Sequence, residues 1–133
     1  MAVTTLEPED YEFTPVTAEV EFPHGFVVTI RHIPEIEERT ILAKNDDVEK
    51  RLEAIGAARI VSWRGLTPVA FVEVAPEMKV PAVGDSGEIE FNAVLKGKLY
   101  RYASGLTFRA PLLQAAEALR DEMVAKKKRL AMS

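Results

Sequence analysis

The 133-residue chain contains no cysteine, one tryptophan and only two histidines. The absence of cysteine excludes disulfides, thiol catalysis and metal sites built from thiolates. No apolar run reaches the length of about 18 residues that a transmembrane helix needs, so no membrane span is expected. The acidic N-terminus lacks the basic and apolar regions of a secretory signal. A cytoplasmic protein is the simplest interpretation.

Residues able to carry out catalysis are also scarce. His24 falls in a predicted turn and His32 beside a proline, and neither belongs to a spacing that would place metal ligands on one helical face. The acidic pairs at 37–38 and 46–47 are adjacent in sequence, whereas catalytic carboxylates face each other across a cleft. The segment VGDSG lacks the lysine of a phosphate-binding loop. The sequence therefore predicts no enzyme, no metal and no cofactor.

Size and charge indicate one domain with unlike ends. With 47% hydrophobic and 29% charged residues, the chain can bury a core and stay soluble. Residues 1–15 are predicted to be a flexible acidic arm, 16–125 a single domain and 126–133 a basic tail. The net charge of −4 divides into −7 over residues 1–59 and +3 over residues 60–133. This division is either chance with solvated faces, or an aid to head-to-tail stacking of subunits.

A β-hairpin is predicted near the N-terminus. Apolar residues alternate with polar ones from Val16 to Phe22, the tripeptide Pro-His-Gly follows, and Phe26–Ile33 is rich in β-branched residues. Pro34 ends the second strand. Together with the helical segments described next, the hairpin predicts an α+β fold: an N-terminal β-hairpin followed by a mainly helical domain of three to four helices.

The helices are predicted from capping residues and apolar spacing. Pro34 and three glutamates favour a short helix to Lys44, and a second helix should start near Asp46 and stop at Gly56. Two more are expected, one over about 88–103 and one carrying the apolar stripe Phe108, Leu112, Ala116, Leu119 and Met123. Between them, RIVSW and VAFVEV fit two strands, or the first prolongs the preceding helix, and 75–88 is expected to be a loop.

Two short segments are candidates for binding. Trp63-Arg64-Gly65 is interpreted either as a structural corner, in which Gly65 takes a positive φ, or as an exposed tryptophan–arginine interface pair. The basic cluster at the C-terminus either complements a helix dipole or binds phosphates, and it consists of Lys126, Lys127, Lys128 and Arg129. Because the isoelectric point is about 5.3, nucleic-acid binding is the weaker interpretation.

The order of these segments resembles the tail assembly chaperones of long-tailed, siphovirus-type bacteriophages and prophages. The first matching motif is the hairpin strand with Gly25, Phe26, Val28, Ile30 and Arg31. The second is the apolar run that ends in Trp-x-Gly-Leu-Thr, with Val61, Trp63, Gly65, Leu66 and Thr67 as the matching positions. The likeness extends over roughly residues 16–120, although the stretch from 67 to 87 is longer than the brief loop of that family.

The resemblance implies a non-enzymatic role in viral morphogenesis. Such chaperones coat the tape-measure protein in the host cytoplasm, help to recruit tail-tube subunits, and are not retained in the mature virion. Self-association into homo-oligomers is common among them. Two other classes fit the residues: a tail-completion or head–tail joining protein of the virion, and a small nucleic-acid-binding protein that uses Lys126–Arg129.

Overall fold

The computed structural model describes residues 16–132, so the acidic arm predicted for residues 1–15 lies outside the described residues. These residues confirm the α+β class, with a three-stranded sheet and five α-helices. In chain order the elements are β1 (Thr17–Glu21), β2 (Val27–Arg31), α1 (Glu35–Lys44), α2 (Val48–Arg59), β3 (Ile60–Arg64), α3 (Pro68–Val74), α4 (Ala93–Tyr102) and α5 (Ala110–Met132).

The predicted hairpin is present and gains a third strand. β1 and β2 pair antiparallel through the 3₁₀ turn Pro23–Gly25, and β3 pairs antiparallel with β2, which gives the order β1-β2-β3. A bulge in the β2–β3 pairing lies between Thr29 and Ile30. Alternation places Val28 and Ile30 in the core, while Thr29 and the glutamates of β1 lie on the opposite side of the sheet.

The segment between α1 and α4 differs from two of the expectations. Gly56 does not end α2, and the helix continues to Arg59. Glycine at this position instead allows α2 to pack closely on Tyr100 of α4, since it has no Cβ. The strand follows directly at Ile60. VAFVEV is helical rather than extended: the Thr67 Oγ1 accepts from the Ala70 N–H, Pro68 occupies the first turn, and helical spacing buries Phe71 and Val74.

Helix α4 also begins later than expected. Asn92 caps α4, since its Oδ1 accepts from the N–H groups of Val94 and Leu95 at 2.8 and 3.1 Å, so Ile89 belongs to the preceding loop. A π-helical turn, Gly105–Arg109, leads into α5. Within residues 16–132, no helix has the length and apolar character required to cross a bilayer.

One core joins the sheet to the C-terminal helix. The rings of Phe22 and Phe108 lie 5.2 Å apart, and Phe26 stacks parallel to Phe108 at 6.3 Å. α5 packs against β1 and β2 and buries Leu112, Ala116 and Leu119, three of the five residues of the predicted stripe. α5 therefore covers the inner face of the hairpin.

Candidate functional site

The tryptophan corner, residues 63–67, is fastened to the loop before α4 by three hydrogen bonds. The Trp63 indole N–H donates to the Ile89 carbonyl at 3.1 Å, and the Ile89 N–H donates to the Leu66 carbonyl at 2.7 Å. The Gly65 N–H donates to a Glu88 carboxylate oxygen at 2.6 Å. The chain is thus held on both sides of the glycine.

Trp63 itself is covered. Its side chain is only 9% exposed and meets the rings of Phe26 and Phe91 edge-on, at 6.5 and 4.8 Å between centroids. Arg64 points to solvent instead, where it pairs with Glu19 of β1, and this pairing lowers the pKa of the Glu19 carboxyl. The tryptophan and the arginine therefore do not share one exposed patch.

Position 65 of the tryptophan corner requires glycine, because the backbone there touches the hairpin turn. Gly65 has a φ of 72°, and a Cβ built on it would lie 2.1 Å from the Gly25 carbonyl oxygen. In the adjoining strands, Val28 of β2 pairs with Trp63 of β3. The two segments that carry the sequence resemblance are therefore neighbours in the fold, in direct backbone contact.

The other hairpin residues named from the sequence serve the fold. Phe26, Val28 and Ile30 are fully buried. The Arg31 guanidinium, in contrast, connects three elements, since its Nε donates to the Ala58 carbonyl of α2 at 2.7 Å and its Nη2 to Glu37 of α1. Arg31 thereby brings the end of β2 beside the C-terminal turn of α2.

Positive charges from three elements converge at this place. The pKa of the His32 imidazole is lowered, first by burial and then by the charges of four cations. We call this group the His32 cluster, and it consists of Arg31, His32, Arg59, Arg120 and Lys127. β2 supplies Arg31, the C-terminal residue of α2 is Arg59, and α5 supplies the other two cations, seven residues apart on one helical face.

The sequence predicted only part of the His32 cluster. Of the predicted basic group Lys126–Arg129, which lies on the last turns of α5, Lys127 is the member whose charge acts on His32. Arg120 could have been found from its spacing to Lys127. Arg59 gave no such signal, since a cation in the last turn of a helix is ordinary. Its buried guanidinium donates to the hydroxyl of Tyr100, which is 41 residues away.

The described residues offer little that would hold a small ligand. Among residues 16–132, no three histidine, aspartate or glutamate side chains are placed to bind a metal ion. A shallow groove of about 310 Å³ runs between α2 and α4, and its walls include Lys50, Glu53 and Gly97. The Arg101 guanidinium donates to the carboxylates of Glu49 and Glu53 at 2.7 and 2.8 Å.

Comparisons with known proteins add no assignment. No protein-family model, curated protein or solved structure matches the chain.

Proposed function

We propose that the protein is a non-enzymatic tail assembly chaperone of a long-tailed bacteriophage or prophage. In this role it coats the tape-measure protein in the host cytoplasm, helps to recruit tail-tube subunits, and leaves before the virion is complete. The observation that supports the proposal most directly is the contact between the two motifs of the resemblance. Gly25 and Gly65 touch, and Val28 pairs with Trp63, so the motifs form one structural unit.

The surface next to this unit offers apolar side chains to a client. Val69 and Val72 on α3 are exposed, and so is Leu106 in the π-helical turn. The Ser104 N–H donates to the Val74 carbonyl at 2.9 Å, which brings the beginning of that turn alongside the end of α3. We name Val69, Val72 and Leu106 the α3 patch. Exposed apolar groups of this kind suit contact with the apolar face of a long helical client.

Co-expression with the tape-measure protein tests the proposal. We expect the tape-measure protein to be largely insoluble alone and to become soluble, and to co-purify, when this chain is present. The double variant Val69→Asp with Val72→Asp should reduce the soluble yield severalfold, because charge on the patch opposes burial against the client. The double variant Val48→Asp with Val94→Asp changes two exposed valines outside the α3 patch and should keep full activity.

Failure of the unaltered chain to solubilise or bind its tape-measure protein would contradict the chaperone proposal. Equal yields from both double variants would contradict only the assignment of the α3 patch. Mass spectrometry of purified virions provides a second criterion. A chaperone should be absent from the particle, whereas a stoichiometric amount would favour a tail-completion or head–tail joining protein.

A further inference from the structure

The His32 cluster contains a buried positive charge without a negative partner in the described part of the chain. Arg59 is 9% exposed, and its Nη1 donates to a neutral acceptor, the Tyr100 hydroxyl, at 3.1 Å. Its Nε is buried and has no hydrogen-bond partner, and no ion pair within residues 16–132 includes Arg59. A charge removed from water without compensation is costly, so this position favours an anion.

The neighbouring cations leave the excess charge in place. Arg31 is paired with Glu37, but Arg120 has only an exposed contact to Asp121 at 3.9 Å. No ion pair within residues 16–132 includes Lys127. Arg59, Arg120 and Lys127 therefore all leave positive charge that acts on His32 at the open end of the hairpin, and carboxylates brought there would be attracted to it.

The chain itself delivers such carboxylates to this place. The His32 N–H donates to the Val16 carbonyl at 3.1 Å, so residues 1–15 join the fold beside the His32 cluster. Those fifteen residues hold four acidic side chains and no basic one: Glu7, Glu9, Asp10 and Glu12. Glu12 is four residues from Val16, which an extended chain spans in at most about 14 Å.

We propose that residues 7–12 bind, within the same chain, to the His32 cluster, with Arg59 as the buried cation that their carboxylates reach. Attachment through Val16 favours this intramolecular contact over the same contact between two copies, because a short tether gives an effective concentration on the order of millimolar. The inference does not depend on the proposed chaperone function.

A spin label reports on this contact in the full-length protein. The chain has no cysteine, so Thr5→Cys creates a single site for a nitroxide, eleven residues before Val16. In dilute, isotope-labelled protein at low salt, we expect the nitroxide to attenuate the amide signals of His32, Arg120 and Lys127. Salt near 1 M should restore them, because it screens charges beyond about 3 Å.

Three sets of neutral substitutions separate binding from mere proximity along the tether. In the Thr5→Cys background, Glu7→Gln, Glu9→Gln, Asp10→Asn and Glu12→Gln should remove most of the attenuation. The matched control Glu38→Gln, Asp46→Asn, Glu77→Gln and Asp85→Asn removes four exposed carboxylates elsewhere and should retain it. The exposed pair Arg120→Gln with Lys127→Gln should weaken the attenuation without removing a buried group.

The imidazole titration gives an independent measurement. Neutralising the four acidic residues should lower the pKa of His32 further, since their negative charge favours the protonated ring. The proposal is overturned if neither the four substitutions within residues 7–12 nor the pair Arg120→Gln with Lys127→Gln reduces the attenuation. It is equally overturned if isotope-labelled chains that carry no nitroxide show the full attenuation when they are mixed with spin-labelled chains, because the contact then forms between copies.

Discussion

At the scale of the residue, His32 shows how neighbours on several elements determine the pKa of one side chain. The residue directly follows β2, and its ring is half-buried near Arg31 of β2, Arg59 of α2, and Arg120 and Lys127 of α5. Burial and these four charges all disfavour the imidazolium, so the pKa in the folded protein lies below the ordinary value of 6.5. The unfolded chain therefore takes up this proton first as the pH falls.

The sign of the resulting pH dependence follows from linkage. Below about pH 6.5 the unfolded state binds more protons at His32 than the folded state, so the free energy of unfolding should decrease on acidification through this window. His32→Gln should flatten the decrease. The difference should stay well under about 1.4 kcal/mol per pH unit, the limit for one proton, because the ring is partly solvated.

Urea denaturation between about pH 5 and pH 7 measures this slope. His24→Gln serves as the control, because His24 lies exposed in the hairpin turn and the same substitution there should leave the slope nearly unchanged. A His32→Gln protein with the full slope of the unaltered chain would show that other groups cause the acid sensitivity.

At the scale of the element, the crossing of α2 and α4 depends on two glycines. A Cβ built on Gly56 would lie 2.2 Å from the Cβ of Tyr100, and one on Gly97 would lie 2.9 Å from the Glu53 carbonyl oxygen. Each glycine costs its helix about 1 kcal/mol relative to alanine. Close packing of the two helices offsets that cost, which explains why glycines are found inside both.

Gly56→Ala should consequently destabilise the protein, although alanine is the better helix former. We expect a loss of about 1–3 kcal/mol in the free energy of unfolding, since the added methyl group forces the helices apart. Lys50→Ala, at an exposed position of the same helix, should change the free energy by less than about 0.5 kcal/mol. A more stable Gly56→Ala protein in urea denaturation would mean that propensity outweighs packing at this crossing.

The elements that can be predicted well from the sequence are those whose residue pattern lies within the element itself. Alternation and the Pro-His-Gly turn are enough for the β1–β2 hairpin, and the stripe from Phe108 to Leu119 is enough for α5. The change from α2 to β3 has no such signal, because Ile60 follows Arg59 without a turn and its N–H still donates to the Gly56 carbonyl. Short apolar segments such as Pro68–Val74 fit strand and helix equally, and burial against the core decides between them.

The same limit applies to the candidate site. The corner at Gly65 follows from the glycine itself, but its attachment to Glu88 and Ile89 joins residues more than twenty positions apart. The role of Arg109 is equally hidden in the sequence. Its guanidinium donates to three carbonyls at the end of α4 at 2.7–3.1 Å, and no capping motif in the sequence predicts this contact. The His32 cluster likewise exists only once β2, α2 and α5 have been brought together.

At the scale of the whole molecule, charge is distributed unequally along the sequence. Leu119 is the last buried residue of α5 among those described, so the following turns extend past the core with Lys126–Arg129 on them. Acidic residues dominate the N-terminal part of the sequence, with Glu19 and Glu21 on β1 and three glutamates in the first turn of α1. Contact between unlike surfaces is the geometry that propagates along an array.

Self-association of the full-length protein should therefore be electrostatic and open-ended, which suits the proposed coating of a long client. At low salt we expect the mean mass from light scattering to increase with concentration. At about 0.5–1 M salt the mass should return toward that of the monomer, because exposed charges are then screened over only a few ångströms.

We expect the C-terminal basic group, Lys126–Arg129, to form one side of the contact between copies. Replacing Lys126, Lys127, Lys128 and Arg129 by glutamine should shift the population toward monomer. Replacing Lys44, Lys50, Lys79 and Lys98, four exposed lysines elsewhere, removes the same charge and should not. Equal effects of the two sets would show that net charge, rather than a defined surface, controls association. A strict monomer at high concentration and low salt would contradict stacking altogether, and coating would then require that the client alone aligns the copies.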